Sequence, residues 1–95
     1  MSFSNTIPHE MKVIYIQRRI ADIIECNKAI ETGDFAFLEK VGHQVKGNAQ
    51  SFGFDELSPI GIALEEAAKS RNIPGLKKIV QDFDSAVDNI QKTQM

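Results

Sequence analysis

Of the two histidines in the sequence, His43 stands in company that suggests chemistry. Lys46, Gly47 and Gln50 follow it at three, four and seven residues. On a helical wheel with His43 at zero they fall at about -60°, +40° and -20°. The apolar residues of the same stretch, Leu38, Val41, Val45, Ala49 and Phe52, gather within about 60° of the opposite pole, which turns the imidazole to solvent. An imidazole beside an ammonium and a bare patch of backbone suits a nucleophile that exchanges an anionic group with a second molecule. Lys46 supplies a point charge near an anion carried on the ring. Glycine inside a helix costs about 1 kcal/mol against alanine, and an outward position has no packing reason for it. A partner surface can approach the ring there because no side chain stands in the way.

A carboxylate completes the group. Leu64 faces inward in its own helical stretch, so Glu65 is turned about 100° from the core, toward the seam with the helix that carries His43. A carboxylate that accepts from Nδ1–H fixes the tautomer and leaves the Nε2 lone pair facing solvent. Lys69, one turn beyond Glu65, adds positive potential on the same side. Taken singly, each residue has a plain alternative: a surface histidine, a solvated lysine, one half of the acidic pair Glu65-Glu66, or a glycine at a helix crossing. Their combination is what points to chemistry. His9 lies in a segment with no partner pattern and reads as surface. Cys26 falls at the edge of an apolar stripe as a small, half-buried hydrophobe. Phe35, Phe37, Phe52, Phe54 and Phe83 read as core and cap packing, with Phe54 partly at the rim of a partner site.

Four stretches with helical periodicity must position these groups. The first spans 11–32, with Val13, Ile16, Ile20, Ile23, Ile24, Asn27 and Ile30 as its stripe; Gly33 ends it and Asp34 caps the next. The second spans 35–52 and stops at Gly53. The third, about 56–71, is capped either by Asp55 or by Ser58 with Pro59 at the first helical position, where proline fits well. It turns Leu57, Ile60, Leu64, Ala67 and Ala68 inward, with Asn72 at its stop. The fourth, 74–90, presents Leu76, Ile79, Val80, Phe83, Val87 and Ile90, and the tail from Gln91 to Met95 is expected to fray. Four amphipathic helices joined by short turns predict an all-α, antiparallel up-and-down four-helix bundle, with Ile7-Pro8 as a candidate for a short extra N-terminal turn.

Composition narrows the function classes. The chain has 95 residues, enough for a single domain over 1–95. Eleven Lys and Arg against thirteen Asp and Glu give a net charge of -2, with no basic stripe of the kind that neutralises a phosphate backbone, so no nucleic-acid partner is expected. One cysteine allows neither an internal disulfide nor a thiolate metal cluster and fits a reducing compartment. No apolar run approaches the roughly 18 residues of a membrane span, and the first residues lack a basic and apolar leader pattern. A cytoplasmic protein without membrane association is expected. A phosphate loop, a nucleophile elbow and a nucleotide fingerprint are all missing, so autonomous catalysis with ATP is not expected.

The run His43-x-x-Lys46-Gly47, then Gly53, Leu57 and Leu64-Glu65, resembles the signature of histidine phosphotransfer (HPt) domains, the intermediate carriers of bacterial-type phosphorelays. The similarity covers most of the chain and includes Gly33-Asp34-Phe35 and Ser51-Phe52-Gly53-Phe54-Asp55-Glu56-Leu57-Ser58. Asn72 stands where such chains often turn with Gly-Asp, and Pro59 is unusual within the third helix. The resemblance implies a four-helix bundle in which His43 carries the phosphoryl group, Lys46 assists electrostatically, Gly47 admits the partner and Glu65 orients the ring. It also implies a histidine kinase or hybrid kinase and a response-regulator receiver domain as partners. No cofactor is expected on this chain, with Mg²⁺ on the receiver, and the free docking face argues for a monomer. A small helical adaptor without phosphoryl chemistry is the main alternative. A hydrolase using His43 and Glu65 is a weaker one, because a convex helix face makes a poor substrate pocket.

Overall fold

The computed structural model describes residues 7–95. Four helices follow in order: α1 His9–Thr32, α2 Phe35–Asn48, α3 Ser58–Lys69 and α4 Ile73–Gln94, with 3-10 turns at Gln50–Phe52 and Asp55–Leu57. They form an up-and-down antiparallel bundle in which each helix packs against its two neighbours, and the contact between α2 and α3 is the most extensive. The expected extra turn before Met11 is not separate. His9 and Glu10 open α1, and the carbonyl of Pro8 accepts from the amides of Met11 and Lys12. Residues 1–6 lie outside the described region.

The turn between α1 and α2 follows from two residue types. Gly33 takes the left-handed conformation at φ 76°, and its amide donates to the Ala29 carbonyl. The Asp34 side chain then accepts from the amide of Phe37 and caps α2. The core runs along the axis through Ile16, Ile23, Leu38, Val41, Val45, Leu57, Leu64, Leu76, Val80, Phe83, Val87 and Ile90, all buried.

Several local expectations are corrected. In α1 the buried stripe is Tyr15, Ile16, Arg19, Ile23, Cys26, Ala29 and Ile30, while Ile24 and Asn27 are exposed. Arg19 joins the stripe because its aliphatic stem packs inward and its guanidinium lies over the Tyr15 ring, paired with Asp22 at 2.9 Å. The α-helical part of α2 ends at Asn48 rather than Phe52. Tyr15 donates to Asn48 Oδ1 at 2.7 Å, and its ring stacks on Phe52 with centroids 4.4 Å apart, so α1 grips the chain just where α2 tightens into the 3-10 turn. Phe54 is fully buried and forms no rim.

Neither Asp55 nor Ser58 caps α3. Asp55 begins a 3-10 turn, Ser58 Oγ is buried with no hydrogen-bond partner among the described residues, and Pro59 sits in the first turn of the helix. Asn72 is not the stop of α3 either. Arg71 takes the left-handed position at φ 54°, and Asn72 caps α4 by accepting from the amide of Gly75. The tail does not fray at Gln91, since α4 continues to Gln94.

Cys26 is buried completely rather than half, and burial, reinforced by the charges of Asp22 and Glu25, pushes its thiol up to about 12. A thiol reagent at about pH 8 is therefore expected to leave Cys26 unmodified in the native protein and to react once denaturant opens the bundle. Native-state modification at the rate of a free thiol would contradict its place in the core.

Candidate functional site

His43 projects from the outer face of α2 with its side chain 69% exposed, as the periodicity of that helix requires. The residue that meets it comes from α3. Glu65 is buried at the α2–α3 seam, and its Oε2 lies 3.1 Å from His43 Nδ1. An ionised carboxylate only accepts, so Nδ1 carries the proton and donates, and in the neutral ring the lone pair is on Nε2. The other carboxylate oxygen, Oε1, accepts from Lys46 Nζ at 2.7 Å. Lys69, one helical turn after Glu65, brings its Nζ to 3.8 Å of Oε2.

One carboxylate thus gathers an imidazole and two ammonium groups. The short hydrogen bond from Lys46 holds the Glu65 carboxyl below the usual carboxylate range against the opposing effect of burial, with smaller contributions from the His43 hydrogen bond and the charge of Lys69. Lys46, read from the sequence as a point charge beside the ring, is itself held across the seam by Glu65.

The remaining expected site residues divide. Gly47 faces outward, and a Cβ placed on it would meet no atom within 4 Å. Gln50 is exposed but lies in the 3-10 turn beyond the end of α2, apart from the side chains gathered on Glu65. Beside the imidazole a shallow groove is lined by Ala36, Glu39, Lys40, His43, Gln44 and Glu65. Among the described residues no three His, Cys, Asp or Glu side chains converge as a metal site, and no helix is long and apolar enough to cross a membrane.

Sequence reasoning passed over two residues under this site, Gly42 and Gly61. Both are buried, and both lie where α2 and α3 cross. A glycine contributes nothing to an apolar stripe, so the periodicity is silent about them. The available signal was their place: Gly42 directly precedes His43, and Gly61 lies one turn before Glu65.

A bundle whose exposed histidine is held by a carboxylate of the neighbouring helix has the architecture of a histidine phosphotransfer module. A family model for the Hpt domain matches residues 10–93, and the chain belongs to that family. It is also similar to the phosphotransferase RcsD of Escherichia coli (strain K12), 25% identical over 88 residues that make up 93% of this chain and 8% of that protein. The chain therefore corresponds to a small part of that relative's length. No solved structure matches it significantly.

Two outcomes follow from the geometry. Gly47→Ala is expected to raise the unfolding free energy by up to about 1 kcal/mol in a denaturant titration, because the position is helical, outward and open. A strong destabilisation would mean that the glycine is packed. The second concerns acid. Because the fold lowers the Glu65 pKa, its contribution to stability is fully present above the ordinary value of 4.5 and is lost as pH falls through the depressed value. Melts between about pH 7 and pH 3 are expected to show a smaller acid-side loss in Glu65→Gln than in the parent protein, and equal losses would uncouple this carboxylate from folding.

Proposed function

We propose that the protein is a cytoplasmic phosphocarrier that accepts a phosphoryl group on Nε2 of His43 and passes it on between a histidine kinase or hybrid kinase and the aspartate of a response-regulator receiver domain. The observation that carries this reading is the Glu65 contact to Nδ1, which in the neutral ring leaves Nε2 as the nucleophilic nitrogen of an exposed side chain. In transfer from an aspartyl phosphate, the Nε2 lone pair forms the N–P bond while the P–O bond breaks and the electron pair leaves on the partner's carboxylate. The proton on Nδ1 stays where it is. The ring gains positive charge as the N–P bond forms, and the Glu65 carboxylate offsets it. Lys46 keeps further N–H donors for a phosphoryl oxygen while one is spent on Glu65. Transfer of this kind needs positioning and charge stabilisation more than covalent machinery; Mg²⁺ bound on the receiver would supply charge stabilisation, and this chain acts as carrier rather than enzyme. Gly47, Gln50 and Lys69 lie on the docking side, and a face that must stay open for partners fits a monomer.

Incubation with a phosphorylated receiver domain or an active kinase is expected to label the protein with acid-labile, base-stable phosphate, and His43→Gln is expected to abolish labelling while leaving the melting curve nearly unchanged. Labelling that persists in His43→Gln would move the site, with His9 the only other histidine. No labelling of the parent protein by any partner would favour the adaptor reading. Glu65→Ala is expected to slow transfer about tenfold, or about 1.4 kcal/mol in barrier. Gly47→Gln is expected to keep the fold and slow transfer by placing a side chain where the receiver must approach. Wild-type transfer in Gly47→Gln would show that no partner needs the bare backbone.

A further inference from the structure

We propose that Gly42 and Gly61 are positioning residues for phosphoryl transfer: their backbone-to-backbone contact sets α2 and α3 close enough for a single carboxylate to hold both His43 and Lys46. The consequence for transfer rests on the phosphocarrier reading; the geometric part does not.

The contact is reciprocal. A Cβ on Gly42 would lie 2.5 Å from the amide nitrogen of Glu65, 2.9 Å from its Cα and 2.8 Å from the carbonyl oxygen of Gly61. A Cβ on Gly61 would lie 2.5 Å from the amide nitrogen of Lys46, 3.1 Å from its Cα and 2.8 Å from the carbonyl oxygen of Gly42. The glycine of each helix therefore abuts the backbone of the site residue that the other helix contributes. Every atom met is main chain, so no rotamer change relieves the crowding and the helices themselves must part. Carbon contacts settle at roughly 3.5–4.0 Å, which puts the separation forced by one alanine at about 1 Å. The Glu65 contacts stand at 3.1 Å to His43 and 2.7 Å to Lys46, and an added ångström along either takes it outside hydrogen-bonding range.

Bundle formation alone does not need this approach, because helices pack well at 8–10 Å with side chains between them. Glycine is also among the poorest helix formers, and here it occurs in the interior of both helices at the one crossing beneath the site. Gly47 makes the contrast, standing in open space five residues on from Gly42. What the close crossing provides is reach: His43 leaves α2 on the exposed side, and only a near neighbour can bring a carboxylate to its Nδ1 from a buried start on α3.

The test reads the His43 tautomer by ¹⁵N–¹H spectra of the imidazole, together with transfer rates. The parent protein is expected to show the Nδ1–H form. Gly42→Ala and Gly61→Ala are expected to keep their helical content, mix in the Nε2–H form and transfer about tenfold more slowly. Val80→Ala, a core deletion on α4 rather than on either of the two crossing helices, lowers stability and is expected to keep both tautomer and rate. In a Glu65→Ala background, adding Gly61→Ala is expected to produce no further loss of rate, because the glycine acts through that carboxylate. Should the alanine variants fail to fold, Glu65→Asp shortens the reach by one methylene with the crossing intact and is expected to reproduce the tautomer change and the rate loss. The proposal is overturned if Glu65→Asp keeps the Nδ1–H form and the parent rate, or if folded Gly61→Ala matches Val80→Ala in both readouts. A parent protein that takes up no phosphate would instead remove the phosphocarrier reading, and the tautomer spectra would still decide the geometry.

Discussion

Where α2 crosses α3 the two main chains approach with no side chain between them, and the arrangement above that point depends on this closeness. A glutamate has three rotatable bonds before its carboxylate, so its head reaches across a seam only when the facing helix is near. With the seam closed, Glu65 begins in the buried layer and ends against two side chains that leave α2 toward solvent. The same closeness explains why α2 and α3 form the most extensive interface of the bundle although they are its two shorter helices.

A carboxylate in that position is stable only because its surroundings answer it. Burial by itself disfavours the charged form, and a lone buried carboxylate would take up a proton. Here the direct hydrogen bond from Lys46 outweighs desolvation, with His43 and Lys69 adding to it. The three partners are themselves well exposed, at 39%, 69% and 58% for Lys46, His43 and Lys69, so their longer-range charges are screened by water and short contact geometry does most of the holding. The imidazole is therefore oriented by one hydrogen bond to a buried carboxylate while its other edge faces solvent.

The sequence made the four helices and the outward face of α2 readable because apolar residues recur at three and four along each, and the glycine and aspartate of the first turn have definite backbone uses. It was less informative wherever a residue's type and its environment disagree. Arg19 lies on the buried stripe of α1, yet its charge hides an aliphatic stem that packs like a hydrophobe; passing over it shifted the stripe toward Ile24 and Asn27. The break after Asn48 comes from a grip by Tyr15 of a distant helix, a tertiary cause with no local signature. At the site, the meeting of His43 with Glu65 followed from helical phase, whereas the sharing of Lys46 did not, because a long side chain's direction is chosen by its rotamer and its neighbours. Gly42 and Gly61 were invisible for a simpler reason: their use lies in the absence of atoms, and only the facing backbone shows what that absence admits.

The outward placement of the histidine has a consequence of another kind. The core residues and the crossing glycines lie on the packed side of α2, while His43, Gln44 and Gly47 are exposed on the other. Surface positions around the imidazole can change without opening a cavity or breaking a cap, since they touch little of what holds the bundle together. Recognition and folding are thus written in largely separate sets of residues. A lineage of such chains is free to drift in whom it meets while conserving how it stands, and duplicated copies can part company in a cell by substitutions that leave their architecture untouched.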